Sequence, residues 1–503
     1  MTLRPSSPRA AGTRPTRHAT LIAIVLLAYY GLTIGGHHYS IDGIIIFQAA
    51  RNWVVNRSLF FQPQFRWGDN QPATSKYGIG LSVSYLPVLL PLHAVNPGLF
   101  NLGGDEAADY NPALLQNQLY LSASLIHLVV GMLTGLAVYW LGLELGLSPG
   151  WAVFAALVAG LASPLAAYVR YDFAQPLVGM LLTWAARLAV RARRTRPLWP
   201  GLIIGLLLGY ALLTRLTVLL VAPWLIGLYL AGARANRSAS RAEWVWGTLL
   251  AVLGVGLAVL LTLVINDLKF GSPLAFGQTF GFELTSLPEA LFGLLLSPGR
   301  GVLLYFPLAW LWLWGWRDLY RQQRAFALVS LGLCLTLIAI YSTWEAWWGG
   351  ETWGPRYFVP VLPLLTLGVA LWLQQQQRRS ARWPLVLGVG LGLLSFVISL
   401  NGILFNFLDF YGQYWAQHGF TVAALAGQEQ MQIAASPLFA GWAFSRAPQA
   451  YDLYWLQMLA HGSRRGLVVM FGLGLSLVGG LVLLVGPWLR RVAGGRFSWL
   501  PAL

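Results

Sequence analysis

Asp42 is the first acid of the chain, and it follows closely on the first long apolar run, in GGHHYSIDGIIIFQAARNWVVNRSLF (35–60). A carboxylate at the lip of an apolar segment suits a general base, which must stay ionised and still reach a hydroxyl proton. Ser40 or Asp42 is also an ordinary helix-start residue, because a side-chain oxygen there accepts from an unpaired backbone N–H. His37 and His38 stand just ahead and are weak candidates for a divalent metal. A second acid, Asp172, lies in SPLAAYVRYDFAQP (163–176) beside Arg170. The two read either as a neighbouring ion pair or with Asp172 facing Asp42 across a cavity, binding a cation or orienting a hydroxyl.

Three cations have the setting for a phosphate. Lys76 lies in RWGDNQPATSKYGIG (66–80) with Arg66 and Asp69, Arg215 in ALLTRLTVLLVAP (211–223), and Arg300 between two glycines in LSPGRGVLLYFP (296–307). An ammonium meets phosphate as a point charge, a guanidinium as a fork, and glycines let backbone amides approach an anion. Snorkelling is the plainer alternative for Lys76 and Arg215. Finally, YSTWEAWWGGETWGPRYFVP (341–360) crowds four tryptophans, Trp348 among them, with Glu345, Glu351 and Arg356. Aromatic faces among carboxylates suit a sugar ring, which stacks on the one and donates hydroxyl hydrogen bonds to the other.

The elements that position these residues follow from composition. The 503 residues are 57% hydrophobic and 10% charged, arranged in repeated apolar blocks long enough to cross ~30 Å of hydrocarbon. An all-α polytopic membrane protein is expected, as a single integral membrane domain; neither a β-barrel nor a soluble domain fits continuous apolar runs of this length. Apolar runs lie near 19–36, 77–95, 117–143, 151–169, 174–190, 198–213, 217–232, 245–265, 302–316, 326–343, 357–374, 384–404 and 466–489. Arg4, Arg9, Arg14 and Arg17 precede the first run, which reads as an uncleaved span with a cytoplasmic N-terminus. The basic connections at 191–197, 233–241, 317–324, 374–382 and 490–496 all become cytoplasmic if 77–95, with Pro87 and Pro91, stays in the outer interface. About twelve spans (11 to 13) result, with interfacial helices in the first external loop.

In this topology 21 of the 33 basic residues but only 3 of the 17 acids (Glu144, Glu243 and Asp318) are cytoplasmic. The net charge of +16 therefore reflects membrane orientation and gives no reason to expect a nucleic acid partner. The carboxylates gather in the expected external loops 37–116, 266–301 and 405–465 and in short outer turns, so an outer-face cavity is the expected site. No soluble C-terminal domain is expected. One cysteine, Cys334, provides neither a disulfide framework nor a thiolate site. Walker, HExxH and CxxC motifs are all missing from the sequence.

Taken in order, YSIDGIIIFQAARNWV, SPLAAYVRYDFAQP, GLLLGYALLTRLTVLLVAPWL, FGSPLAFGQTFGF with LLLSPGRGVLLYFPLAWL, and WWGGETWGPRYFVPVLPLL resemble the GT-C membrane glycosyltransferases. Within that family the resemblance is to the bacterial branch related to protein mannosyltransferases and the lipid A aminoarabinose transferase. It implies an inverting transfer of a sugar from a polyprenyl-phosphate donor to a lipid, glycan or protein acceptor, at the outer face of the plasma membrane. Asp42 matches the family's first-loop carboxylate, Asp172 the acid after the third span, and Lys76 and Arg300 become carrier-phosphate candidates. Gln175 stands where related turns often carry Glu before the Pro. Competing readings are a flippase or transporter of lipid-linked sugars, which calls for ionisable residues along a path through the helices, and a glycan polymerase or ligase, which calls for arginine-rich external loops.

Overall fold

The computed structural model describes residues 14–60, 74–100, 118–277, 281–284, 287–419, 427–444, 451–460 and 462–493. Arg4, Arg9, Arg66 and Asp69 lie outside these described residues. In chain order the helices are α1 Arg14–Leu32, α2 Ile41–Asn56, α3 Gly80–Val95, α4 Gln118–Glu144, α5 Pro149–Leu161, α6 Leu165–Tyr168, α7 Gln175–Arg191, α8 Leu198–Thr214, α9 Val218–Arg234, α10 Arg241–Phe270, α11 Leu287–Leu296, α12 Val302–Tyr305, α13 Ala309–Gln322, α14 Arg324–Ser342, α15 Leu362–Arg378, α16 Arg382–Leu404 and α17 Phe407–His418. Pro437–Phe444, Tyr454–Ala460 and Arg465–Ala493 are helical as well. Among the described residues β-pairing is limited to three isolated bridges.

Six helices are long and apolar enough to cross a membrane: Leu119–Glu144, Arg241–Phe270, Arg324–Ser342, Arg356–Arg378, Arg382–Leu404 and Arg465–Gly486. The protein is a multi-pass, all-α membrane protein. The remaining expected spans are also helical, but several are shorter. α5, α8 and α9 have 13, 17 and 17 residues, or ~20–26 Å at 1.5 Å per residue, less than the ~30 Å hydrocarbon core. Sequence chemistry interrupts them: Ser163-Pro164 follows α5, Arg215 ends α8, and Pro307 divides the 302–316 run into α12 and α13. The 77–95 segment forms α3, an apolar helix of 16 residues with Pro87 and Pro91 inside it. The expected loop 266–301 begins inside α10 and contains the apolar helix α11.

Small residues determine how closely the helices approach. Gly201, Gly205 and Gly209 recur every fourth residue on α8, and a Cβ on any of them would come within 2.1–2.8 Å of a backbone atom of α10. This is the close backbone packing that lipid-embedded helices use when no hydrophobic effect drives them together. The rest of α10 presents leucines and valines outward, as a lipid-facing helix does. α13 and α15 lock reciprocally, Trp372 over Gly315 and Trp312 over Gly368. α15 is buried almost all round, and its glutamine-rich end is a helical turn in which Gln374 accepts from Ser148 N at 2.7 Å and donates to Gly146 O at 3.1 Å.

Candidate functional site

Asp42 owes its orientation to the start of α2. Ser40 is the N-cap, its Oγ accepting from Gly43 N at 2.9 Å. Asp172 lies directly beneath: it accepts from Ser40 Oγ at 2.9 Å and Tyr39 N at 3.1 Å, and bonds His38 Nδ1 at 2.9 Å. A Cβ at position 43 would lie 1.9 Å from the Asp172 carboxyl carbon, so only glycine lets the helix settle on this carboxylate. With Ser40 capping and Asp172 below, Asp42 in the first turn is left facing a cavity.

There one Asp42 oxygen accepts from the Tyr77 hydroxyl and the other from Arg356 Nη2. Arg356 donates further to Gly349 O at 2.9 Å and lies 4.3 Å from the Phe173 ring centroid. Burial opposes ionisation of Asp42, but the Arg356 charge and the two hydrogen bonds outweigh it and hold the carboxyl below its ordinary range. Its side chain remains 24% exposed, so a lone pair is open to the cavity.

The cavity measures about 1530 Å³ and brings together Asp42, Lys76, Arg215, Glu345, Trp348, Glu351 and Arg356. Among the described residues neither Lys76 nor Arg215 has an ion-pair partner. Glu345 accepts from Gly281 N at 3.1 Å. Another part of the lining is apolar: Leu216, Leu219, Leu220, Leu274 and Phe276 are each 39–72% exposed.

Asp172, Arg300, His37 and His38 do not line this cavity. Asp172 is fully buried and does not face Asp42 across the cavity; its carboxylate is taken up in holding the residues that precede α2. Arg300 is 2% exposed, and its guanidinium donates to Trp348 O (2.7 Å), Gly299 O (3.1 Å), Thr352 O (2.5 Å) and Gly350 O (2.6 Å). The fork expected for phosphate thus binds the tryptophan-rich turn instead. His37 and His38 bond different carboxylates, Asp452 at 2.7 Å and Asp172 at 2.9 Å. Among the described residues no group of three or more His, Cys, Asp or Glu side chains could hold a metal.

Arg170 does not pair with its neighbour Asp172. It reaches Asp452 at 2.9 Å, which also accepts from Tyr39 OH at 2.8 Å. Burial favours the neutral acid at Asp452, yet His37 and Arg170 hold its carboxyl well below the usual range.

Sequence reasoning did not single out Tyr77, Asp452 or, as a site residue, Lys269. Lys269 lines the cavity and donates to Ser75 O and Tyr77 O, both at 3.0 Å. The one signal for it was scarcity, since Lys76 and Lys269 are the only lysines.

No family model and no curated protein sequence matches this chain. Among solved structures it is similar to ArnT from Cupriavidus metallidurans in the apo state, with 15% identity and a TM-score of 0.49 over 96% of this chain and 81% of that one. It is also similar to the archaeal oligosaccharyltransferase AglB from Archaeoglobus fulgidus in complex with an inhibitory peptide and a dolichol-phosphate, with 12% identity and a TM-score of 0.46 over 84% of this chain and 60% of that one. A third likeness is to the protein O-mannosyltransferase complex of S. cerevisiae bound to the sugar donor, with 15% identity and a TM-score of 0.37 over 54% of this chain and 36% of that one. With TM-scores below 0.5, any functional reading has to rest on the site itself.

Proposed function

We propose that this chain is a membrane glycosyltransferase of the GT-C kind, transferring a sugar with inversion from a polyprenyl-phosphate donor to an acceptor hydroxyl on a lipid, glycan or protein. The observation that carries this reading is one cavity in which Asp42 and other carboxylates share space with Lys76 and Arg215, two cations without an ion-pair partner among the described residues, and with an exposed apolar wall. A lipid-linked donor requires that combination, because its chain stays in the bilayer while its phosphate and sugar enter a polar pocket.

Asp42 takes the acceptor's hydroxyl proton as the acceptor oxygen bonds the anomeric carbon. The bond from that carbon to the phosphate oxygen breaks, and its electron pair leaves on the phosphate, which needs no proton if cations neutralise it. Lys76 and Arg215 are those cations. Tyr77 and Arg356 fix the carboxylate on both oxygens and keep it ionised, while Trp348, Glu345 and Glu351 hold the sugar or acceptor. A carboxylate so stabilised is a weak base, suited to a step in which the hydroxyl becomes acidic only as its new bond forms. The outer face is supported by α8 and α10, which lead from the basic turns at 191–197 and 233–241 to the cavity at Arg215 and Lys269.

The test uses protein in proteoliposomes with a panel of polyprenyl-phosphate sugars. Asp42→Asn is expected to lower turnover ~10²–10⁴-fold, the usual contribution of a general base, with donor binding kept. Equal turnover of variant and wild type removes Asp42 from the chemistry. Movement of lipid-linked sugar between leaflets without transfer makes the chain a transporter.

A further inference from the structure

A lysine in the last turn of a lipid-facing helix normally extends its ammonium to water or to the helix's own last carbonyls. Lys269 does neither. It is 8% exposed, and its ammonium donates to Ser75 O and Tyr77 O, nearly two hundred residues away in sequence. The residues that follow this turn pack closely on the end of α8: a Cβ on Gly78 would lie 2.3 Å from Leu213 O, and one on Gly80 2.0 Å from Thr214 Oγ1. Gly277 is in a left-handed conformation at φ 61°, and a Cβ there would lie 3.0 Å from Lys76 Cβ and 2.8 Å from Phe270 Cζ. Because α8 and α10 meet along a glycine seam, the two helix ends that hold this turn sit on one rigid pair.

We propose that Lys269 is a positioning residue for the transfer reaction, holding the Ser75–Tyr77 turn so that the Tyr77 hydroxyl stays on Asp42 and Lys76 stays in the cavity. The proposal rests on the functional reading above. Lys269 touches no reacting atom; it acts through the Tyr77 backbone. Two of its three N–H donors are taken by the Ser75 and Tyr77 carbonyls. The charged groups acting on Asp42 are Arg356 from the turn before α15, Arg215 from the end of α8 and Glu351 from the tryptophan-rich turn, and Lys76 and Lys269 share its cavity. Of these groups only Lys76 is carried on the 75–77 turn and only Lys269 on α10, so loosening that turn withdraws the Tyr77 hydrogen bond while leaving Arg356, Arg215 and Glu351 in place.

The experiment follows Asp42 protonation by pH-dependent infrared difference spectroscopy in lipid nanodiscs, with Asp42→Asn as the blank. Lys269→Met and Tyr77→Phe are each expected to move the Asp42 titration upward. The double variant should move it no further than Tyr77→Phe alone, and Lys269→Arg should restore part of the wild-type position. If Lys269→Met does not fold, Lys269→Gln, whose amide can donate to the same carbonyls without charge, takes its place with a smaller upward shift. A titration unchanged from wild type in the Lys269 variant, or a shift that adds to that of Tyr77→Phe, overturns the proposal. Because the readout is the carboxyl itself, failure of the positioning role is distinguishable from failure of the glycosyl-transfer reading.

Discussion

Replacing Arg300 by lysine separates two roles that the sequence alone leaves equal. A phosphate ligand keeps its charge in this substitution, whereas a strap across four backbone carbonyls loses its geometry. The carbonyls of Gly299, Trp348, Gly350 and Thr352 accept at 2.5–3.1 Å from three nitrogens of the planar guanidinium. One ammonium nitrogen at the end of a flexible stem can satisfy about two of them. Gly350 is exposed and water can serve its carbonyl, so about one buried acceptor is left unpaired and Arg300→Lys is expected to lose ~1–3 kcal/mol. The assay is unfolding in lipid nanodiscs followed by tryptophan fluorescence, together with donor-analogue binding. Arg300→Lys should unfold earlier, and proteolysis should reach the 348–352 turn sooner. A variant that unfolds with wild type yet binds donor tenfold more weakly, a loss of ~1.4 kcal/mol, refutes the strap and returns Arg300 to the phosphate.

Removing the Arg356 charge should change the pH dependence of the reaction. In the folded protein the Asp42 carboxyl titrates below its ordinary value of 3.8, so its ionised, paired form is present above that value and is lost only as pH falls through the depressed one. In Arg356→Gln burial is no longer outweighed, and the acid limb of the pH–rate profile should move upward; an unmoved limb means that Asp42 is not the titrating base. Gly205→Leu tests the α8–α10 seam, where a Cβ would lie 2.7 Å from Leu250 O. Overpacking costs ~1–3 kcal/mol or more, so unfolding should come earlier and donor binding should fall with it, whereas Leu219→Ala on the exposed wall should leave stability unchanged.

Hydropathy made the all-α membrane architecture legible, because the bilayer demands apolar runs wherever helices cross it. The expected loop topology also grouped Lys76, Arg215, Glu345, Trp348, Glu351 and Arg356, and with Asp42 they line one cavity. What the sequence did not reveal was each side chain's partner. Arg300 between glycines looks the same whether its fork meets phosphate or carbonyls 48–52 residues away. Arg170 and Asp172 are two positions apart, which favours a local pair on paper, but the turn sends one to Asp452 and the other to the start of α2. Tyr77 opens an apolar run and looks like its first member; only the return of the chain past α2 brings its hydroxyl to Asp42. Helix ends were hidden for a related reason, since hydropathy registers composition and does not see breaks such as Pro307.

The encasement of α15 also bears on how the protein is made. Its packing partners are α4, α5, α7, α13, α14 and α16, and five of these six precede it in the chain. As the polypeptide enters the membrane from its N-terminus, the slot for α15 is therefore largely built before α15 is synthesised, and its helix can exchange lipid for protein on arrival. Arg356 comes in with the residues just ahead of that helix. The ion pair at Asp42 thus closes only after most of the α15 slot is built, and chains interrupted before Arg356 carry the carboxylate without its guanidinium partner.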